Sequence, residues 1–293
     1  MDIDRILHKL KEVNMLPTFP ATVGTVMDLI QDPMSSAADL AKGMDPSMVS
    51  EVLRIANTAY FGTRNFRNIT SIEHAIAIIG LEHLSSIILQ MPFVAMVKGD
   101  SDFDRERFMG HSIMCGVISK TISASARLGN PGEAYIGGMM HDIGTIIIYR
   151  YFRRERDQAH SLVKGKGISW PDAEKEIFAV DHGYMGAILL ELWNIPKVVT
   201  DSVMFHHCPD EAKENRGNVM AVHLGNRLSK LVDARGIIPD FDDFSKRCRS
   251  FLDIGNEPGL ERLPGNEVMF YEKIYAAARQ TQHYIHGEKR EER

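Results

Sequence analysis

Apolar residues recur along almost the whole chain at three- and four-residue spacing, the period of helices with one buried face, and no stretch alternates like a strand. The pattern predicts an all-α protein. Ile3, Ile6, Leu7, Leu10 and Val13 form a first stripe, and the turn from Pro17 to Pro20 separates it from a second with Val23, Val26, Met27 and Ile30. Ser36 caps a short helix through Lys42. Asp45-Pro46 supplies an N-cap and a first-turn proline for a helix that turns Val49, Val52, Leu53 and Ala56 inward. Ser71 starts the next helix, Gly80 separates it from Leu81 to Val97, and Pro92 is expected to bend that second run.

The polar turn Gly99-Asp100-Ser101-Asp102 is the expected domain boundary. It divides an N-terminal helical lobe, residues 1–100, from a core lobe, residues 101–235, with a C-terminal helical extension over 236–293. The core lobe opens on a long helix, Asp104 to Leu128. Gly129-Asn130-Pro131 then turns the chain into an apolar, glycine-interrupted helical run, Gly137 to Ile148. Arg150, Arg153, Arg154 and Arg156 follow and read as a solvated helix end. Ser169 caps a helix to about Val180; Asp181-His182 caps another to Trp193; Pro196 opens one that ends at His206-His207 before Cys208-Pro209. A helix from about Gly217 to Val232 precedes a polar connector. The last helix, Glu267 to His286, has a stripe of Val268, Tyr271, Ile274, Tyr275 and Ala278 that must pack on its own core or across a homodimer.

Composition narrows the class. With 293 residues, 44% of them hydrophobic, the chain can bury a large core. No apolar run approaches the ~20 residues that span a bilayer, and the N-terminus lacks a signal-peptide pattern, so no membrane insertion and a cytoplasmic location are expected. Cys115, Cys208 and Cys248 lack paired motif spacing and read as reduced thiols. The excess of 39 acidic over 34 basic residues, with no helix-turn-helix or zinc-finger pattern, argues against nucleic acid as a partner.

The candidate chemistry lies in the apolar run. His141 and Asp142 stand side by side where burying either is costly unless it is paired or bound to a cation. His111, His182, His206 and His207 lie in other helical segments, and imidazoles delivered from several helices are how bundles build a metal site. Each alone has a structural explanation, as a hydrogen-bonded core or surface histidine. His8, His74, His83, His160, His283 and His286 have no such setting and are assigned no chemistry.

From Leu16 to His207 the chain resembles the HDOD proteins, a bacterial branch of the HD superfamily of helical metal-dependent phosphohydrolases. The resemblance rests on Leu16 to Pro20, Asp45 to Asn57, Ile72 to Leu81, Gly137 to Ile148 and Asp181 to Pro196. It implies an HD-domain-like helical bundle in two lobes and a signalling or regulatory role through a protein partner. Carried over residue by residue, it implies metal ligation by His111, His141, Asp142, His182, His206 and His207. Two departures stand out: Arg107 takes the place of an acidic residue one turn before the first histidine, and Asn226 that of the final aspartate. A shell rich in histidine and poor in carboxylate suits one divalent transition ion, iron, zinc, manganese or nickel, better than magnesium. The alternative is a metal-dependent phosphohydrolase, phosphodiesterase-like, with an atypical site.

Overall fold

A computed structural model describes Leu29, Met34 and residues 36–44, 46–57, 69–97, 99–231, 238–251 and 267–286. The stripes expected before Leu29, the Pro17 to Pro20 turn and the Asp45 cap lie outside these residues. All regular structure among the described residues is helical: α1 Ala37–Gly43, α2 Pro46–Asn57, α3 Ile72–Met96, α4 Arg105–Ala126, α5 Pro131–Met140, α6 Ile143–Tyr151, α7 Arg153–Lys166, α8 Trp170–Phe178, α9 His182–Leu192, α10 Lys197–Met204, α11 Arg216–Ser229, α12 Phe241–Phe251 and α13 Glu267–His286. A 3-10 turn, Pro209–Glu211, joins α10 to α11.

Local chemistry sets most starts. Ser36 and Asp39 form a reciprocal capping box, and the side chains of Ser71, Asp104, Asn130, Ser169 and Asp181 each accept a first-turn backbone N–H. Gly80, at φ +77°, is the non-helical residue inside α3; the backbone does not leave the helical region at Pro92.

Two helices are additions to the expected order. Arg150 closes α6 as an exposed residue of its last turn, but Arg153, Arg154 and Arg156 open a further helix, α7, whose buried residues are only Arg156 and Ala159. Arg156 is not solvated there: it bonds Asp157 and Asp102 and lies over the Tyr149 ring at 4.6 Å. The polar connector contains α12, with Phe244 and Cys248 buried.

Helix α4 is central, packing against α5, α11 and α13. One apolar cluster links α1, α2 and α3 to α4, α5, α11, α12 and α13, through residues such as Val52, Ile88, Ile118, Leu224 and Ile274. Each such side chain, once fully buried, contributes about 1.5–3 kcal/mol. The stripe of α13 therefore packs on its own chain, with Tyr271, Ile274 and Ala278 buried. A second cluster joins α6, α8, α9 and α10 around Ile146, Phe178, Leu189 and Val203.

Glycines let the helices that carry the histidines approach. A Cβ on Gly138 would sit 2.8 Å from Gly116 Cα of α4, and one on Gly144 would sit 1.9 Å from the His182 carbonyl oxygen of α9. No helix among the described residues is long and apolar enough to cross a membrane.

Candidate metal centre

The apolar run does not continue through the histidine and aspartate. α5 stops at Met140, His141 is its C-cap, and Asp142 stands in the N-cap position of α6. The break aims both side chains at one point between the helices. His111 arrives from the first third of α4, His182 from the first turn of α9, and His206 and His207 from the turn just past α10 rather than from within it.

All six predicted residues meet there. Asp142 Oδ1 lies 3.1 Å from His141 Nε2, 3.1 Å from His182 Nε2 and 3.7 Å from His206 Nε2; Oδ2 lies 3.6 Å from His111 Nε2. His207 Nε2 is 3.0 Å from His182 Nε2, and His111 Nε2 is 3.2 Å from His141 Nε2. Ligand atoms of Asp142, His182, His206 and His207 lie within 4.8 Å of one another, as do those of His111, His141 and Asp142.

Neighbours dictate which ring nitrogen faces inward. His141 Nδ1–H donates to the Gly138 carbonyl at 2.7 Å, and His206 Nδ1–H to the Val203 carbonyl at 2.6 Å. A carbonyl only accepts, so both rings carry their proton on Nδ1 and present Nε2 to the cluster. His182 Nδ1–H donates to Glu174 Oε2 at 2.6 Å, with the same result. His206 Nε2 is buried and has no hydrogen-bond partner.

Charge reinforces the picture. Burial alone would lower His141, but the Asp142 carboxylate outweighs it and holds the imidazole up to about 10. His182 is likewise held well above its usual range against burial, by Glu174 and Asp142. Burial, then the charge on His141, pushes His111 down to about 4; burial, then the charge on His182, pushes His207 down to about 2. Burial and the neighbouring imidazoles also drive His206 well down. Asp142, despite burial, is held well below the carboxylate range by His141 and His182.

The donor set fits a transition ion. Several imidazole nitrogens fixed toward one carboxylate oxygen, one of them buried without a partner, are what such an ion requires and what magnesium does not favour. Asn226 faces this region: it is buried, and its side chain interacts favourably with the His111 ring. Arg107 is exposed and does not enter the cluster; its backbone N–H serves the Asp104 cap. Of the residues expected to stay apart, His160 is exposed beside Trp170, and His74 is half-buried on α3. Glu174 was legible only as a first-half acidic residue of its helix, because nothing local marks a bond to a ring eight positions later.

Comparisons with known proteins agree on the lineage. The model of the HDOD domain matches residues 16–209, close to the Leu16 to His207 span that resembles the family. A Treponema pallidum (strain Nichols) protein called uncharacterized is 21% identical over 252 residues, 85% of this chain and 48% of its own length, so the chain spans about half of that curated relative. An HDOD domain protein of unknown function from Geobacter sulfurreducens superposes with a TM-score of 0.71 at 21% identity, covering 97% of this chain and 96% of its own. A proposed phosphohydrolase from Shewanella amazonensis SB2B gives 0.72 at 20% identity, over 95% and 96%. A proposed signal transduction protein from Marinobacter aquaeolei VT8 gives 0.63 at 18% identity, over 94% and 61%. With the sequence match running from the N-terminal helices through the histidine turn after α10, this chain belongs to the HDOD family.

Proposed function

We propose that this protein is a regulatory module of bacterial signalling whose core, residues 101–235, holds one divalent transition ion and which acts through a protein partner. The lobe over residues 1–100 and the extension over 236–293 would present the surfaces that partner contacts. The ligands would be Asp142 and the Nε2 atoms of His111, His141, His182, His206 and His207. The observation that carries this reading is the fixed orientation of His141, His182 and His206, each with its Nδ1–H spent on a neighbouring acceptor. With Nδ1–H spent, the nitrogen each ring can offer an ion is Nε2, and a cation bound there takes the place of the protons that His141 and His182 hold against Asp142.

One ion rather than two follows from charge. Asp142 is the carboxylate at the cluster and Glu174 stands one bond behind it. Two dications would leave a positive charge of two in a largely buried place, whereas one dication is balanced. Elemental analysis of the purified full-length chain tests this. About one equivalent of iron, zinc, manganese or nickel is expected, lost in Asp142→Ala; a metal-free protein that takes up none on incubation contradicts it.

The second reading, a metal-dependent phosphohydrolase, is favoured by one feature: the cluster opens toward solvent, with His111 and Asp142 each 23% exposed by side chain. An ion there would acidify a bound water from about 15.7 toward about 7 and polarise a phosphoryl group. In that reading one of His206 and His207 would assist proton transfer; His207 is half-buried at the open side and His206 is enclosed. Assays against cyclic dinucleotides, nucleotides and simple phosphoesters separate the readings. Inactivity of the fully loaded protein supports the regulatory module; turnover lost in His141→Ala supports the hydrolase.

A further inference from the structure

Glu174, on α8, has a fully buried side chain, where an unpaired carboxylate is costly. Its hydrogen bonds both go to His182. Oε2 accepts the His182 backbone N–H at 2.8 Å and the ring Nδ1–H at 2.6 Å, and Oε1 has no partner. The opposite ring nitrogen of His182 faces Asp142 Oδ1 at 3.1 Å. His182 thus spans two carboxylates, one at the cluster and one behind it. Helix capping accounts for only one of these two bonds, the one from the first-turn N–H. Asp181 already caps α9 by accepting the Tyr184 N–H at 3.1 Å, and the bond to the ring is the shorter of Glu174's two.

We propose that Glu174 is a positioning residue of the metal site, which fixes the His182 ring through a single oxygen and supplies the second negative charge that the ligands themselves lack. The inference rests on the cluster being a metal site. Asp142 with neutral imidazoles leaves a dication with one uncompensated charge, and Glu174 removes it without occupying a coordination position. The hydrogen bond also raises the basicity of His182 Nε2, which strengthens that ligand.

The geometry provides an isosteric test. Because both bonds end on one oxygen, the amide oxygen in Glu174→Gln can accept both, and its amide nitrogen replaces an oxygen that bonds nothing. Only charge is lost. Zinc and cobalt affinity of the full chain would be read by competition with a chromophoric chelator, alongside helical content and cooperative unfolding. E174Q is expected to fold as wild type and bind either metal about 10–100-fold more weakly. Folded E174Q with affinity within about twofold of wild type overturns the proposal, since a purely structural glutamate would alter stability and leave affinity alone. A wild type that binds neither metal removes the metal site and this inference with it. Should E174Q not fold, the wild-type zinc protein decides by NMR of nitrogen-15-labelled histidine. Zinc on His182 Nε2 and a slowly exchanging Nδ1–H are expected; zinc on Nδ1, or a freely exchanging ring proton, overturns the assignment.

Discussion

The inner and outer halves of the histidine cluster use the same side chain in different ways. On the inner side, His141, His182 and His206 are buried and each has its Nδ1–H tied to a protein acceptor, Gly138, Glu174 or Val203. On the outer side, His111 and His207 are partly exposed. The contact of His111 Nδ1 with the Ser229 hydroxyl is long, at 3.4 Å. The difference teaches that the inner rings are pre-oriented before any ligand arrives, while the outer rings can adjust. Pre-oriented ligands lose little freedom on binding and therefore carry more affinity per residue. Asp142 belongs to both halves, one oxygen facing each.

Breaking the shared residue should have the largest effect. Asp142→Asn keeps shape but removes the negative charge at the cluster, and metal affinity measured by chelator competition should fall by more than about 100-fold. Next in size is the contrast between the halves. His182→Ala or His206→Ala is expected to weaken binding by about 100-fold, and His111→Ala or His207→Ala by about 10-fold, because only the former remove a pre-set donor. Equal losses on both sides would remove the distinction.

Packing gives a smaller, structural effect. Gly144→Ala places a methyl where the His182 carbonyl now sits, so α6 and α9 must separate. Thermal unfolding of the metal-free protein should show a loss of about 1–3 kcal/mol, the usual cost of overpacking.

Acidity sharpens the comparison further. Without metal, His141 is held up to about 10 and His182 well above its usual range, so both are protonated at neutral pH, whereas His111, at about 4, and His207, at about 2, are already neutral. Metal ligation requires the neutral rings. The inner pair must therefore release protons, about two per ion, and affinity should rise with pH through the neutral range. Calorimetry in buffers of different ionisation enthalpy checks this. The stability linkage of the metal-free protein has the opposite sign: raised imidazoles contribute fully below about 6.5, and that contribution is lost as pH rises through their folded values.

Most of this was legible in the sequence because caps and apolar stripes are local. Ser36, Ser71, Asp104, Asn130, Ser169 and Asp181 begin helices as their side chains dictate. The convergence of six distant residues was legible only through the family resemblance and the polarity of His141-Asp142 within an apolar run. The break between α5 and α6 was not, since Met139, Met140, Ile143, Ile146 and Ile147 keep a helical spacing across it and burial against α4 and α9 decides where it opens. α7 has almost no apolar face, so the hydrophobic pattern does not reveal it. In α12, Phe241, Phe244 and Cys248 recur at helical intervals, but the charged residues between them hide the stripe. Glu174 and the inward Asn226 depend on tertiary contacts that no local pattern encodes.

The most direct measurement is anomalous diffraction at the absorption edge of the metal that elemental analysis finds, on crystals of the loaded full-length chain. The expected result is a single anomalous peak within bonding distance of Asp142 and of the Nε2 atoms of His141, His182 and His206. A peak elsewhere on the molecule, or a fully loaded protein whose cluster shows no anomalous signal, would contradict the assignment of these residues as a metal centre.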